Sequence, residues 1–333
     1  MTGNASYRVL IAVLAAATLV LFVLSLTVGP AGIAFGDSIA ALFSSKADAV
    51  ALIMREIRLP RALLGLMIGA TLGLSGAVLQ GYLRNPLAEP GLLGISSMAS
   101  LGAVLAIYTG LSAAFALALP LAALAGAVLA VVVVQAMAGT RGNSLLIILA
   151  GIAVTSFAGA MTSLALNLSP NPFAALEIMF WMLGSLTDRS MTHVWLAGPF
   201  MILGWAMLGS LGRSLDALTL GSETAASMGV ELRRVQFLAV FGTAACVGAA
   251  TAVSGAIGFV GLVVPHILRP LVGSKPSRLL LASALGGACV VLAADILVRL
   301  IAPDRDLKLG VLTAIVGAPF FLWLVFRARR RLT

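Results

Sequence analysis

Residues 90–140 carry no charged side chain. About 20 apolar residues of helix cross a ~30 Å hydrocarbon core, so this run is long enough for two crossings. Uncharged stretches recur at 62–83, 144–166, 191–211 and 235–268. In lipid, backbone N–H and C=O groups must be satisfied within the chain, which favours helices. The sequence is 61% hydrophobic and 10% charged, against roughly 25% charged for a soluble domain. It therefore predicts an all-α polytopic membrane protein forming a single transmembrane domain over 1–333. About ten helices are expected, over 9–28, 62–83, 92–108, 113–137, 144–166, 191–211, 235–254, 257–268, 279–300 and 310–326. The first apolar run exceeds the ~7–15 residues of a secretory signal and is taken as a retained span.

Glycines 65, 69, 73 and 76 lie three or four apart in the second helix. That spacing places small residues on one face, as close helix packing in membranes requires. The stretch Arg84-Asn85-Pro86-Leu87-Ala88-Glu89-Pro90-Gly91 must end this helix, since both prolines lack an N–H.

With ten spans both termini lie on one side. If that side is the cytoplasm, 13 of the 21 Lys and Arg fall inside with only four of the 12 acids, in keeping with the positive-inside bias. Residues 213–234 are then a cytoplasmic segment between two apolar halves. They hold Arg213, Asp216, Glu223, Glu231, Arg233 and Arg234. Ser222 to Gly229 reads as a short helix closed by a glycine. A separate, energy-supplying protein gripping this elbow is the functional reading, and a solvated connecting loop is the alternative.

Other chemistries find little support. Cys246 and Cys289 sit in separate apolar stretches, and His193 and His266 are isolated, so no disulfide framework, zinc set or haem ligand set is predicted. The net charge of +9 is spread over loops rather than gathered in a nucleic-acid patch. Lys46, Lys275 and Lys308 do not follow a glycine, which excludes the G-x-x-x-x-G-K-[ST] phosphate loop. The chain is not expected to be an enzyme or to bind a cofactor.

Several motifs occur in a fixed order: Arg58-Leu59-Pro60-Arg61, Gly76 to Gln80, Arg84 to Ile95, Gly258 to His266, Ala294-Asp295-Ile296 and Gly317 to Phe320. Together, over about residues 8–327, they closely resemble the permease subunits of bacterial ABC importers for ferric siderophores, haem and cobalamin. The resemblance implies a multi-pass protein of the inner membrane, paired with a second copy or a close paralogue. It further implies a periplasmic substrate-binding protein and two copies of a cytoplasmic ABC ATPase that uses ATP and Mg. Glu223, Ala226 and Gly229 would dock the ATPase, with Thr224 departing from the alanine usual in the older importer motif. Arg58, Arg61 and Arg299, at the outer rim, would pair with acidic residues of the binding protein. Membrane anchoring is their alternative, and Asp295, four residues before Arg299, is spaced to pair with it along the helix. Asn85, Leu87 and Ser144 would close the cytoplasmic end of the path.

A ferric siderophore is the expected cargo, with haem or cobalamin as alternatives. An ion-coupled secondary transporter is the alternative of another class, but such proteins carry acids deep in their helices. Here only Asp295 falls within a predicted helix, near its end.

Overall fold

The computed structural model describes residues 2–29, 32–43, 48–115, 117–139, 144–169, 171–302 and 307–329. Arg141, Arg330 and Arg331, three of the 13 basic residues counted inside above, lie outside them. The chain opens with α1 (Thr2–Thr27), α2 (Phe35–Phe43) and α3 (Ala49–Leu52). A π-helical turn, Ile53–Arg58, then feeds α4 (Leu59–Tyr82). Pro60, near the start of α4, cannot donate a backbone bond, and the wider turn before it fits that loss. After a 3₁₀ turn at Pro90–Leu93 come α5 (Ile95–Tyr108), α6 (Leu111–Ala114), α7 (Ala118–Ala138), α8 (Ser144–Asn167) and α9 (Pro172–Met182). α10 (Met191–Gly209) leads to the short helices α11 (Gly212–Leu218) and α12 (Ser222–Ser227). The remaining elements are α13 (Leu232–Ser254), α14 (Val260–Leu268), α15 (Pro276–Ile301) and α16 (Leu309–Arg329).

The protein is all-helical in its described residues, and seven of its helices are long and apolar enough to cross a membrane. One departure from the expected helix bounds has a physical cause. The short helix expected over 257–268 is the nine-residue α14, about 13 Å long. It is cut short by Gly255 at φ 72° and by Phe259, held at φ 66° in the left-handed region. α9 carries exposed apolar Phe173, Leu176, Met179 and Phe180. Asn171 caps its first turn by accepting from Ala174 N at 2.9 Å.

The glycine ladder of α4 sets the packing. A Cβ on Gly73 would lie 1.9 Å from the Ser283 carbonyl oxygen, and one on Gly69 would lie 2.4 Å from that of Gly287, both on α15. Gly76 meets the backbone of Gly261 on α14 in the same way, at 1.9 Å. Backbones this close gain dispersion contacts that larger side chains would prevent, which is how helices associate without a hydrophobic driving force. α5 and α7 meet alike, through Gly102 against Ala122 and Gly126 against Met98.

Candidate functional site: two ends of one helix pair

α4 and α15 form a pair with a cluster of charge at each end. At one end lie residues 212–231. α11 buries Leu215, Ala217 and Leu218, and α12 buries Ala225. Leu215 packs against Gly81 of α4. Asp216 Oδ1 accepts from the Ser277 backbone N–H at 2.8 Å, and its Oδ2 lies 3.5 Å from Lys275 Nζ. A carboxylate on the elbow thus caps the first turn of α15, where the free N–H groups carry partial positive charge.

α12 ends as its sequence predicts. Gly229 adopts φ 86°, its N–H reaches Ala226 O, and Val230 N–H reaches Ala225 O at 3.0 Å. This closes the last turn with glycine in the left-handed position. Glu223, Ala226 and Gly229 are all exposed on this turn. So are two large apolar side chains, Leu220 at 62% and Met228 at 61%. The elbow is therefore anchored by one face and open on the other.

Next to it, the loop after α4 is built by Asn85, whose Oδ1 accepts from Leu87 N at 2.9 Å. Both residues are half-buried. Ser144 opens α8, and its side chain lies outside the described residues. Gln80 is buried and ties α4 to α14: its Nε2 donates to Leu262 O at 3.2 Å, and its Oε1 accepts from Arg269 Nη2 at 2.6 Å. Glu89 faces the turn before α14 and accepts the Phe259 backbone N–H. Burial pushes its carboxyl above the usual carboxylate range, and that hydrogen bond opposes the shift.

The opposite end holds Arg58, Arg61, Asp295 and Arg299. Asp295 bridges two helices: Arg61 Nη2 lies 2.9 Å from its Oδ1, and Arg299 Nη2 lies 2.9 Å from its Oδ2. Arg58 and Arg299 also hold the end of α1. Arg58 Nη1 donates to Leu26 O and Thr27 O, and Arg299 Nη1 donates to Ser25 O and Val28 O. Four terminal carbonyls, the negative end of the helix dipole, thus find cationic donors. The open aqueous setting expected for these arginines needs correction. Arg58 is 4% exposed, Arg299 side chain 8%, and Arg61 is the most open at 16%. Local spacing shows the Asp295–Arg299 pair, but not Arg61 as a second partner from 234 positions earlier.

Asp216, Gln80 and Asp295 are thus structural members of the two sites that the sequence left without a role or with only a local one. A charged or amide residue amid small and apolar ones was the only available signal.

Residues 17–327 match the FecCD transport family. The chain is 38% identical over 277 residues to the Fe(3+) dicitrate transport system permease protein FecD of Escherichia coli, covering 83% of this chain and 86% of that one. It is 39% identical over 294 residues to the hemin transport system permease protein HmuU of Yersinia pestis, covering 86% and 87%. To the vitamin B12 import system permease protein BtuC of Klebsiella pneumoniae it is 40% identical over 278 residues, covering 83% of each. A solved inward-facing conformation of a metal-chelate type ABC transporter superposes with a TM-score of 0.84 at 30% identity, over 95% of this chain and 98% of that one. The chain belongs to the FecCD transport family and is a membrane-spanning permease of an ABC transporter.

Proposed function

We propose that this chain moves a ferric siderophore or similar metal chelate across a bacterial inner membrane. In this reading a periplasmic binding protein delivers the chelate, two copies of a cytoplasmic ABC ATPase hydrolyse ATP, and the path runs between this chain and a second permease copy. The observation that carries the proposal is the elbow. A segment buried on one face by α4 and α15 presents Leu220 and Met228, together with Glu223, Ala226 and Gly229, on the other. Exposed apolar side chains on a charged, polar turn suit a protein contact.

At the far end, three arginines around one carboxylate leave an excess of two positive charges. That excess favours acidic groups on a docking partner, with Arg61 nearest the surface and Arg58 and Arg299 behind it. Asn85, Leu87 and Ser144 form the gate in this reading, at the end of α4 and the start of α8. Haem and cobalamin remain alternative cargoes, because HmuU and BtuC match as well as FecD does.

The test is uptake into proteoliposomes holding the complex purified with this chain and its binding protein. ATP-dependent uptake of a ferric siderophore that survives an ionophore supports the reading. Uptake that needs an ion gradient and ignores ATP would replace it with a secondary transporter. ATP-driven uptake of haem or cobalamin alone would reassign the cargo.

A further inference from the structure

A groove of about 460 Å³ lies among α1, α4, α10 and α15. Its walls are apolar, with Leu66 and Ala288 at one end and Gly209 and Ser277 at the other. Thr18, in the wall, already spends its hydroxyl on Leu14 O at 2.8 Å. Trp205, also in the wall, donates its Nε1 to Thr71 Oγ1 at 2.8 Å. The interior therefore offers no polar ligand an evident partner.

Ser277 and Ala288 are eleven residues apart on α15, about 16 Å along the helix. That is about half the hydrocarbon thickness of a bilayer, so the groove occupies one leaflet. The leaflet is the one on the side of residues 212–231, because Ser277 is the residue whose N–H meets Asp216.

The mouth at Ser277 is basic. Arg278, the next residue, reaches across to α1, with its guanidinium 5.3 Å from the Tyr7 ring centroid and a hydrogen bond to Asn4 Oδ1. Lys275, two residues earlier, has a side chain 53% exposed. Arg213 follows Gly212, where a Cβ would lie 3.3 Å from Ser277. Asp216, the acid bonded to Ser277, is held by Lys275 and the Ser277 N–H. A larger groove of about 650 Å³ among α5, α7 and α8 has no charged residue in its lining. The α1 groove pairs an apolar slot of one-leaflet length with basic residues beside its mouth.

We propose that this groove holds one acyl chain of an anionic phospholipid, with the headgroup phosphate at Lys275, Arg278 and Arg213. Apolar surface of the slot meets the chain, and the basic rim meets the phosphate. Each Lys or Arg near an anionic membrane surface contributes about five-fold in affinity.

The test reconstitutes the full chain in nanodiscs made of equal parts phosphatidylcholine and phosphatidylglycerol. Lipids that stay bound on release are then counted by native mass spectrometry. Retention of one phosphatidylglycerol in preference to phosphatidylcholine is expected. Lys275→Gln should lower that preference about five-fold while leaving α1 in place. Ala284→Trp, which fills the slot, should abolish retention. Leu129→Trp, in the other groove, should leave phosphatidylglycerol retention unchanged. Equal retention of both lipids, no retained lipid in the unsubstituted chain, or unchanged retention in Ala284→Trp would overturn the proposal.

Discussion

Replacing Asp295 with alanine probes the cluster of Arg58, Arg61, Asp295 and Arg299 most directly. The carboxylate is 2% exposed and is held by Arg61 and Arg299 at 2.9 Å each. Its removal leaves two guanidinium groups, 16% and 8% exposed, facing each other with no counter-charge between them. Breaking a buried ion pair by removing one partner costs about 3–5 kcal/mol. The partial exposure of Arg61 lets water screen its charge, which places the expected loss near about 3 kcal/mol. In chains of 150–250 residues 1 kcal/mol moves Tm by about 2–4 °C, and a longer chain moves less, so a fall of about 5 °C is expected. The assay is thermal unfolding of the purified chain in a mild detergent at constant salt. Asp295→Asn keeps the shape and one acceptor oxygen and should lose roughly half as much. Adding Arg61→Met to Asp295→Ala should recover part of the loss, because one uncompensated cation has gone. An unchanged Tm for Asp295→Ala, or a double variant whose losses simply add, would refute the charge-coupling argument.

Three further outcomes follow from the geometry. Gly229→Arg places a side chain where nothing lies within 4 Å of the Cβ position, at a cost of about 1–2 kcal/mol for the left-handed backbone. The chain should stay folded but no longer pull down its ATPase; an intact complex would remove Gly229 from the docking surface. Gly73→Ala drives a methyl to 1.9 Å from a backbone oxygen and should cost about 3 kcal/mol in thermal unfolding. Gly159→Ala, with nothing within 4 Å, should be neutral or stabilising, and equal Tm values for the two would contradict the packing account. Glu89 has a raised folded pKa, so the folded chain binds more protons than the unfolded one between the unfolded and folded values. Its ionisation therefore destabilises the fold as pH rises through that window. Glu89→Gln should be the more stable protein above it, with the gap narrowing as pH falls towards 4.5. A gap that widens on acidification reverses the sign and defeats the burial argument.

Membrane class and helical architecture were legible because lipid leaves so few solutions for an apolar chain. The contact face of α4 was legible for a related reason: a four-residue glycine spacing has one geometric use in a tightly packed helix, and Gly69 and Gly73 meet α15 backbone as that use requires. α12 could also be read, since its terminating Gly229 is a local signal. Local signals end there. Asp216 caps a helix that begins 60 residues later, and Gln80 bonds a helix 182 positions away. Spacing along one helix carries no information about such partners. α14 starts three residues later than the short helix expected over 257–268, because hydropathy counts apolar residues and misses a left-handed Phe259, a conformation uncommon for a non-glycine residue. Arg58 was expected at a wet rim for a similar reason. Charge suggests water, but two orphan carbonyls of α1, Leu26 and Thr27, supply its setting instead.

The interlock of α4 and α15 has a mechanical consequence. With Gly69, Gly73 and Gly287 backbone against backbone, neither helix can slide past the other without a collision. α15 is 26 residues long, about 39 Å, and Asp216 holds one tip while Asp295 lies near the other. The two helices make a stiff strut through the full depth of the bilayer, with its handle in one compartment and its jaws in the other. A tug on the handle cannot be absorbed along the way and must arrive as a tilt or turn of the jaws.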